Sequence, residues 1–582
     1  MMPSTNKELA KIFKSMSNIY QYMGGEERFR ALAYQKVARV LNNLPEDVSV
    51  YIQNDTVEDI PGVGEGIADK IREFIKSGKI KRYEELKKTV PVDLLEMMEI
   101  TGFGPQSLKR IHEELKIKTK EQLIDALQKG TISKVKGFGK KKVENMLHGL
   151  KLHKTIEERI LLWQALEIGD KILKEFKSIK EVHQTELAGS IRRGKETIGD
   201  IDVLVSAFEK DRKKIVSTFI SFPFVKEVLA KGDTKASVII KDDNRQVDLR
   251  IVEEDEWGAA MIYFTGSKEH NIRLRTIAKE RGFRISEYGL FDVKTNKLIA
   301  GKTEKDIYEF LGFQWMPPEM REDKGELGLA AKRKIPELVC LEDMKGDMQM
   351  HSTWSDGEMD IEELAKFVLK NYPYEYIVLT DHSQAVKVAG GMNEKEFSKQ
   401  IKAIRQVNKK LGKEFLKAGA EVDIKADGTL DLKDELLKEL DWVCASIHYG
   451  LKNDNTERII AACQNPYVNC IGHPSGRLIG KRDAYPVNWK KIFQVAKQTH
   501  TAFEINCQPD RMDLNDELTK QAKESVVKLV ISTDSHQKMN FSFIRLGITI
   551  ARRAWCQKKD ILNTYNWKNI EAFVKLKRKT VK

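Results

Sequence analysis

The chain is 582 residues long, which exceeds a single hydrophobic core and predicts about three to five domains; its 41% apolar, 8% aromatic and 32% charged residues exclude a disordered or fibrous chain. A net charge of +13 favours a polyanionic partner through Coulomb steering and counterion release, although charge alone does not select one. No apolar run reaches the roughly 18 residues of a membrane span, and MMPSTNKELAKIF lacks an apolar signal core, so a cytoplasmic protein without membrane contact is expected.

Residues 1–85 read as helical, with apolar residues at helical spacing in LAKIFKSMSNIY and FRALAYQKVARVLNNL. Within them lies IPGVGEGIADKI (60–71), and the pattern returns in 86–152 as ITGFGPQSLKRI (100–111) and VKGFGKKKVENML (135–147). Each copy is a glycine–apolar–glycine turn followed by an amphipathic helix, the helix-hairpin-helix signature. Gly62 and Gly64, Gly102 and Gly104, and Gly137 and Gly139 permit a tight turn, and the helix start behind each offers free N–H groups to a phosphate. One such turn is ordinarily a helix connection; three copies point to sequence-independent DNA binding.

Residues 153–255 are mixed, with strand-like DIDVLVS (200–206), ASVIIK (236–241) and QVDLRIV (246–252). Asp200 and Asp202, two apart on a strand, leave the same face, and alternation puts Asp248 opposite Val247, Leu249 and Ile251. If these strands are neighbours the three carboxylates converge, and their mutual repulsion calls for divalent cations, Mg2+ or Mn2+. Two metals could then activate an attacking 3′-hydroxyl and stabilise departing pyrophosphate. An isolated DxD is more often an exposed acidic turn. Gly189 and Ser190 ahead of this one complete the more specific nucleotidyltransferase pattern.

A smaller subdomain is expected over 256–316, followed by an irregular linker (317–334) that begins at Pro317-Pro318. From 335 to 582, strand-like and helical segments alternate as in a parallel α/β fold of the barrel type. His351 and Asp356, His382, Glu421, His448, His473, and Asp534 and His536 stand near predicted strand ends. A lone histidine there is usually a satisfied core residue, but a parallel barrel gathers these ends at one face. Mixed imidazole and carboxylate donors suit zinc, manganese or iron, and metal-bound hydroxide can attack a phosphodiester. The six cysteines form no CxxC pair and read as reduced, mostly buried thiols.

GSIRRGKETIGDIDVLV, QVDLRIV and YFTGSKEHNIRLR (263–275), behind the hairpin motifs, resemble the family X DNA polymerases, the group containing polymerase beta, over roughly residues 1–315. The resemblance implies that Ser190 and Arg193, in the turn opened by Gly189, contact the triphosphate, for which a planar guanidinium is suited. It places Tyr263, Phe264 and Gly266 at the sugar, Asn271 at the base or minor groove, and Arg275 on the template side. Without it Arg193 reads as a surface charge. Lys70 matches a lysine that forms a Schiff base with an abasic sugar, or it simply binds a 5′-phosphate. A neutral amine needs desolvation or cationic neighbours, which Arg28, Arg30 and Lys36 could supply near Tyr34. Gly66 departs from the animal enzymes, which carry a lysine there.

Residues 335–582 resemble the PHP (polymerase and histidinol phosphatase) domain. That resemblance implies a distorted (β/α)7 barrel, a trinuclear centre of Mn2+, Zn2+ or Fe2+, and 3′-5′ exonuclease activity, with 3′-end trimming and abasic-site cleavage in related enzymes. Gln349 departs from the usual His-x-His, which weakens one metal position; Asp347, Glu504 and Arg511 are supporting candidates. The expected fold class is thus multidomain α+β and α/β: helical hairpin domains, a nucleotidyltransferase palm with a thumb-like subdomain, and the barrel. The expected protein is a monomeric repair polymerase for short gaps that takes gapped or primer-template DNA and dNTPs. The alternatives are a nuclease-inactive barrel, a DNA-binding scaffold with dead sites, and a nucleotidyltransferase for RNA or small acceptors; the hairpins and YFTGS argue against the last.

Overall fold

The computed structural model describes residues 4–44, 47–60, 62–100, 103–147, 150, 159–241 and 244–581. They form two compact units, Met1–Thr155 with Gly480–Arg482, and Ile156–Ile479 with Asp483–Lys582. Among the described residues no helix is long and apolar enough to cross a membrane.

Within the first unit the described residues 4–150 are helices joined by turns. Helices Ser4–Met23 and Arg28–Asn43 bury the apolar stripes anticipated from their periodicity, Leu9, Phe13 and Met16 against Val37 and Leu41, with Tyr20 stacked on Tyr34 at 5.5 Å. The three hairpin turns repeat one hydrogen bond: Val63 N–H to Ile60 C=O at 2.9 Å, Phe103 to Ile100 at 3.1 Å, and Phe138 to Val135 at 3.0 Å. Gly62 and Gly137 both have φ of +86°, a left-handed conformation that costs a residue with a Cβ. Gly64 and Gly104 cap helices Glu65–Ser77 and Pro105–Leu115, and helical residues 140–147 follow Gly139. Gly102 lies outside the described residues.

The second unit opens with β1 (Ile160–Leu161), antiparallel to β3 (Thr197–Ile198). Beside them β2 (Gln184–Leu187), β4 (Asp200–Ser206), β5 (Val225–Lys231), β6 (Lys235–Ile240) and β7 (Gln246–Val252) form one sheet in the order β2-β4-β7-β6-β5. Only β4 and β7 are parallel neighbours in it. Ile201, Val203 and Val205 of β4 point into the core, so Asp200 and Asp202 occupy the other face. Next come β8 (Phe283–Ser286), β9 (Gly289–Asp292) and β10 (Leu298–Ala300), which share a separate core with helices Trp257–Thr265, Lys268–Glu280 and Glu304–Phe310.

The stretch expected to be an irregular linker is packed and carries the short helix Glu326–Ala331. Arg321 is fully buried, its guanidinium forked onto Glu304 at 2.7 and 3.0 Å, and the equally buried Glu326 lies 2.7 Å from His270. Its charges read as solvent-seeking in sequence because their partners are distant in the chain.

The remainder is a parallel sheet whose order follows the chain: β11 (Gly346–Asp347), β12 (Tyr376–Leu379), β13 (Leu416–Asp423), β14 (Trp442–Ser446), β15 (Cys470–Ile471), β16 (Ala502–Asn506) and β17 (Leu529–Ser532). Buried on both faces, these strands read as continuous apolar runs such as YIVL and LVIS. Just beyond β11 and β17 the sheet closes on itself: Met350 bridges Ser535, His351 N–H donates to Ser535 C=O at 2.8 Å, and Asp534 N–H to Gln349 C=O at 3.0 Å. This is the expected seven-stranded barrel. Its apolar core is continuous with that of the palm sheet, Trp163 meeting Phe543 edge-on at 4.8 Å. All six cysteines are free thiols; Cys340 is half-buried and the others are buried.

Candidate active sites

The first site sits where β4 and β7 run side by side. Their register pairs Asp202 with Asp248, and Asp200 stands two residues earlier on the same face, so the three carboxylates converge. Burial, then the charges of Asp200 and Asp248, push the Asp202 carboxyl up to about 7. Ser237 Oγ and the Gln246 amide (3.0 and 3.1 Å) donate to Asp248 and hold its orientation. Gly189, at φ +59°, must be glycine, because a Cβ there would collide with the Asp202 carboxylate. That close approach places Ser190 and the short helix Gly189–Arg192 against the acidic pair.

An open cleft of about 500 Å³ spreads from these carboxylates. Asp200, Asp202 and every residue that the family resemblance assigned to nucleotide binding line it: Gly189, Ser190, Arg193, Tyr263, Phe264, Gly266, Asn271 and Arg275. Asp248 is not among the lining residues. Asn271 Nδ2 donates to Tyr263 C=O at 2.8 Å, and Arg275 Nε to Asn271 C=O at 3.2 Å. Arg159, Lys195 and Lys268 also line the cleft and were missed, although Lys195 and Lys268 stand inside the quoted motifs. They add positive charge where a triphosphate would lie.

Arg192 and Arg193 point to different anchors. Arg192 bonds Thr265 Oγ1 at 2.7 Å and forks onto Glu304 at 2.7 and 3.1 Å, so Glu304 is shared with Arg321. Burial alone would raise the Glu304 carboxyl, but the two guanidinium groups hold it well below its usual range. Arg193 donates from Nε to Glu322 Oε1 at 3.1 Å and from Nη1 to the Thr265 carbonyl.

In the first unit Lys70 is half-buried and donates from Nζ to Gly66 C=O at 2.5 Å. Of its expected neighbours, Arg30 is ion-paired with Glu27 at 2.9 Å, the stem of Lys36 lies under Gly62, and the Arg28 side chain lies outside the described residues. Tyr34 is buried and its hydroxyl is pushed up to about 12 by that burial.

The second site lies at the C-terminal mouth of the barrel, where every strand end but that of β16 delivers a ligand candidate. Glu421, at the end of β13, is the hub: its carboxylate lies 2.9 Å from His473 Nε2, 3.2 Å from His382 Nδ1, and 3.5 Å from both His448 Nε2 and His351 Nε2. His351 Nε2 also meets Asp534 Oδ1 at 3.0 Å, and Asp356 Oδ1 lies 3.4 Å from His536 Nε2 and 3.7 Å from His382 Nε2. Potential donor atoms gather in three overlapping groups, His351–Asp356–His382–His536, His382–Glu421–His448 and His351–Glu421–Asp534, each within 4.8 Å. His473 alone of the expected ligands stands outside these groups, although it touches Glu421.

This donor set fits divalent cations. Nδ1 of His351 and of His473 is buried without a hydrogen-bond partner among the described residues. Burial alone would lower His351, yet its hydrogen bond to Asp534 and the charges of Asp534, Glu421 and Asp356 push it up to about 10. Positive charge is thus in demand at that point, whether a proton or a metal supplies it. Burial pushes His382 the other way, to about 3, which keeps its ring a neutral ligand.

Supporting residues are visible as well. Asp423, missed in the sequence, lies 3.0 Å from His448 Nδ1 and orients that ring with Nε2 towards Glu421. Asp347 accepts from Thr533 Oγ1 at 2.5 Å and so ties β11 to the segment carrying Asp534. Glu504 accepts from the His473 N–H at 2.5 Å, while burial and Asp534 push its carboxyl well above the usual range. Gln349 falls in none of the three groups; its Oε1 accepts from Cys444 Sγ at 3.0 Å and its Nε2 has no partner among the described residues.

Paired carboxylates beside a Gly-Ser turn define a nucleotidyltransferase palm, and the barrel mouth defines a metal-dependent phosphoesterase type of centre. Known family models match the part of the chain that precedes the barrel. The helix-hairpin-helix domain matches residues 4–80, the SAM-like helix-hairpin-helix tandem 54–118 and 94–152, the DNA polymerase beta palm 163–254 and the DNA polymerase beta thumb 260–322. The DNA polymerase/3′-5′ exonuclease PolX of Bacillus subtilis (strain 168) is 35% identical over 573 residues, 98% of this chain and 99% of that protein. DNA polymerase lambda of Arabidopsis thaliana is 25% identical over 55% of this chain and 62% of its own, and that of Rattus norvegicus 24% over 54% and 56%. The chain belongs to the bacterial PolX family of family X DNA polymerases.

Proposed function

We propose that this DNA polymerase and 3′-5′ exonuclease fills short gaps from the palm cleft and trims 3′ ends at the barrel mouth. The observation that carries the polymerase reading is the Asp202–Asp248 register beside a glycine that no other residue could replace. Asp200, Asp202 and Asp248 would hold Mg2+ or Mn2+, and Ser190 and Arg193 would bind the triphosphate. Tyr263, Phe264 and Gly266 would face the sugar, Asn271 the base or minor groove, and Arg275 the template. The barrel groups would hold Mn2+, Zn2+ or Fe2+. Bound divalent cations supply charge neutralisation and a more acidic attacking hydroxyl or water at both centres. The Gly64, Gly104 and Gly139 helix starts would grip the DNA backbone, and a gapped substrate offers them duplex beyond the primer terminus.

A gapped-primer assay with Asp202→Ala and His448→Ala in parallel tests both centres. Extension should vanish only in the first variant and degradation only in the second; loss of neither would overturn the assignment. Equal extension on open templates and 5′-phosphorylated gaps would overturn the gap preference. Lys70 is proposed to bind a 5′-phosphate, with Schiff-base chemistry as the second reading. A covalent adduct trapped by borohydride on a 5′-deoxyribose-phosphate substrate would establish the latter.

A further inference from the structure

We infer that Arg553, on the barrel helix Ile544–Arg553, is a positioning residue for the polymerase arginine Arg193, so that the nuclease barrel forms part of the nucleotide site. The inference rests on the reading of Arg193 as the triphosphate-binding arginine. The turn after Arg193 lies directly on that helix: Gly194 has φ of +64°, and a Cβ there would collide with the side chain of Thr549. Arg553 is almost wholly buried at this junction. Its Nη1 donates to the Arg193 carbonyl at 2.6 Å and to Glu322 Oε1 at 3.1 Å. Arg193 Nε donates to that same Glu322 oxygen at 3.1 Å. On its far side Arg553 forks from Nε and Nη2 onto Asp516 Oδ2, at 3.0 and 2.7 Å, which fixes it to the barrel.

Arg193 is therefore held at three points: its main chain by Arg553, Nε by Glu322, and Nη1 by the Thr265 carbonyl. The described residues supply no partner for Nη2, which remains to meet a ligand. The neighbours of Glu322 are laced to two barrel helices, Glu319 pairing with Arg552 at 2.6 Å and Lys324 with Glu517 of helix Asp516–Glu524 at 3.1 Å. Arg193, Arg553 and Lys195 all share Glu322, and Asp516 pairs with Arg553 alone among the three. Without Arg553, Glu322 is left to Arg193 and Lys195, and a triphosphate must compete with a tighter ion pair. The backbone anchor that sets the fork angle disappears as well.

The test uses the full chain and measures dNTP KM, kcat and exonuclease rate on the same preparations with gapped DNA. Arg553→Ala should raise the dNTP KM by about tenfold, the scale of coupling between residues of one network, and leave exonuclease activity intact. Arg553→Lys should fall between, because one ammonium cannot bridge the Arg193 carbonyl, Glu322 and Asp516 together. Asp516→Asn loosens Arg553 without changing volume and should raise the KM severalfold even if Arg553→Ala fails to fold. An unchanged dNTP KM in the folded variants, beside a large rise in Arg193→Ala, would overturn the inference alone. An unchanged KM in Arg193→Ala would overturn the reading of Arg193 and the inference with it. A parallel loss of kcat and exonuclease without a KM change would make Arg553 a structural residue and overturn it too.

Discussion

At the residue scale the two centres present one problem, negative charge gathered in one place, with different side chains. In the palm the Asp202 carboxyl stands near 7, so in its proposed metal-holding role it must lose its proton before a cation binds. A raised carboxyl pKa means that proton and metal compete up to that pH, so the Mg2+ concentration for half-maximal extension should rise as pH falls from 8 to 6. A metal titration of extension rate at each pH checks this; a requirement independent of pH would contradict it. At the barrel mouth Glu421 touches four imidazoles. Glu421→Gln should cost the exonuclease at least about 100-fold and lower the bound metal, as disturbed metal ligation does, with extension unchanged; metal analysis and both assays read the outcome. Gln349→His offers a nitrogen donor in place of an amide and should raise metal retention on dialysis. The carboxylate pair was legible from two residues of spacing in DIDVLV. Asp423 was not, because its role depends on which ring it faces.

At the element scale, what is local in sequence was legible and what pairs across elements was not. The hairpin turns follow from bonds three residues apart, so three short motifs sufficed to find them. Gly137→Ala imposes φ of +86° on a residue with a Cβ; the cost should be about 1 kcal/mol, with weaker, still salt-dependent DNA binding. Denaturant melts and DNA titrations at several salt concentrations would measure both. The supposed linker shows the opposite case. Arg321 and Arg192 clamp a buried Glu304 whose carboxyl is held well below its usual range. A depressed carboxyl pKa contributes stability above the unfolded value of about 4.3 and loses it as pH falls through the lower folded value. Glu304→Gln should therefore destabilise the chain at pH 7 by about 3 kcal/mol, the scale for breaking a buried pair, and by less near pH 3, as denaturant melts at the two pH values would reveal.

At the scale of the whole molecule, the palm and barrel are not beads on a string. Their apolar cores are continuous, and Trp163 of the palm packs on Phe543 of the barrel. Trp163→Ala should thus lower the thermal midpoints of extension and exonuclease together, by a loss of about 3 kcal/mol; a shift in extension alone would mean that the two fold independently. The sequence by itself placed Asp200 and Asp202 on one face of a strand and Asp248 opposite the apolar residues of another, and it set a histidine or carboxylate near successive barrel strand ends. Tertiary structure decided what those groups meet. Barrel closure brings His351 to Asp534, 183 residues away, and domain packing brings Arg193 to Arg553, 360 residues away. Periodicity reports only the face on which a side chain lies; contacts across such separations arise when whole elements dock, and no local pattern records them.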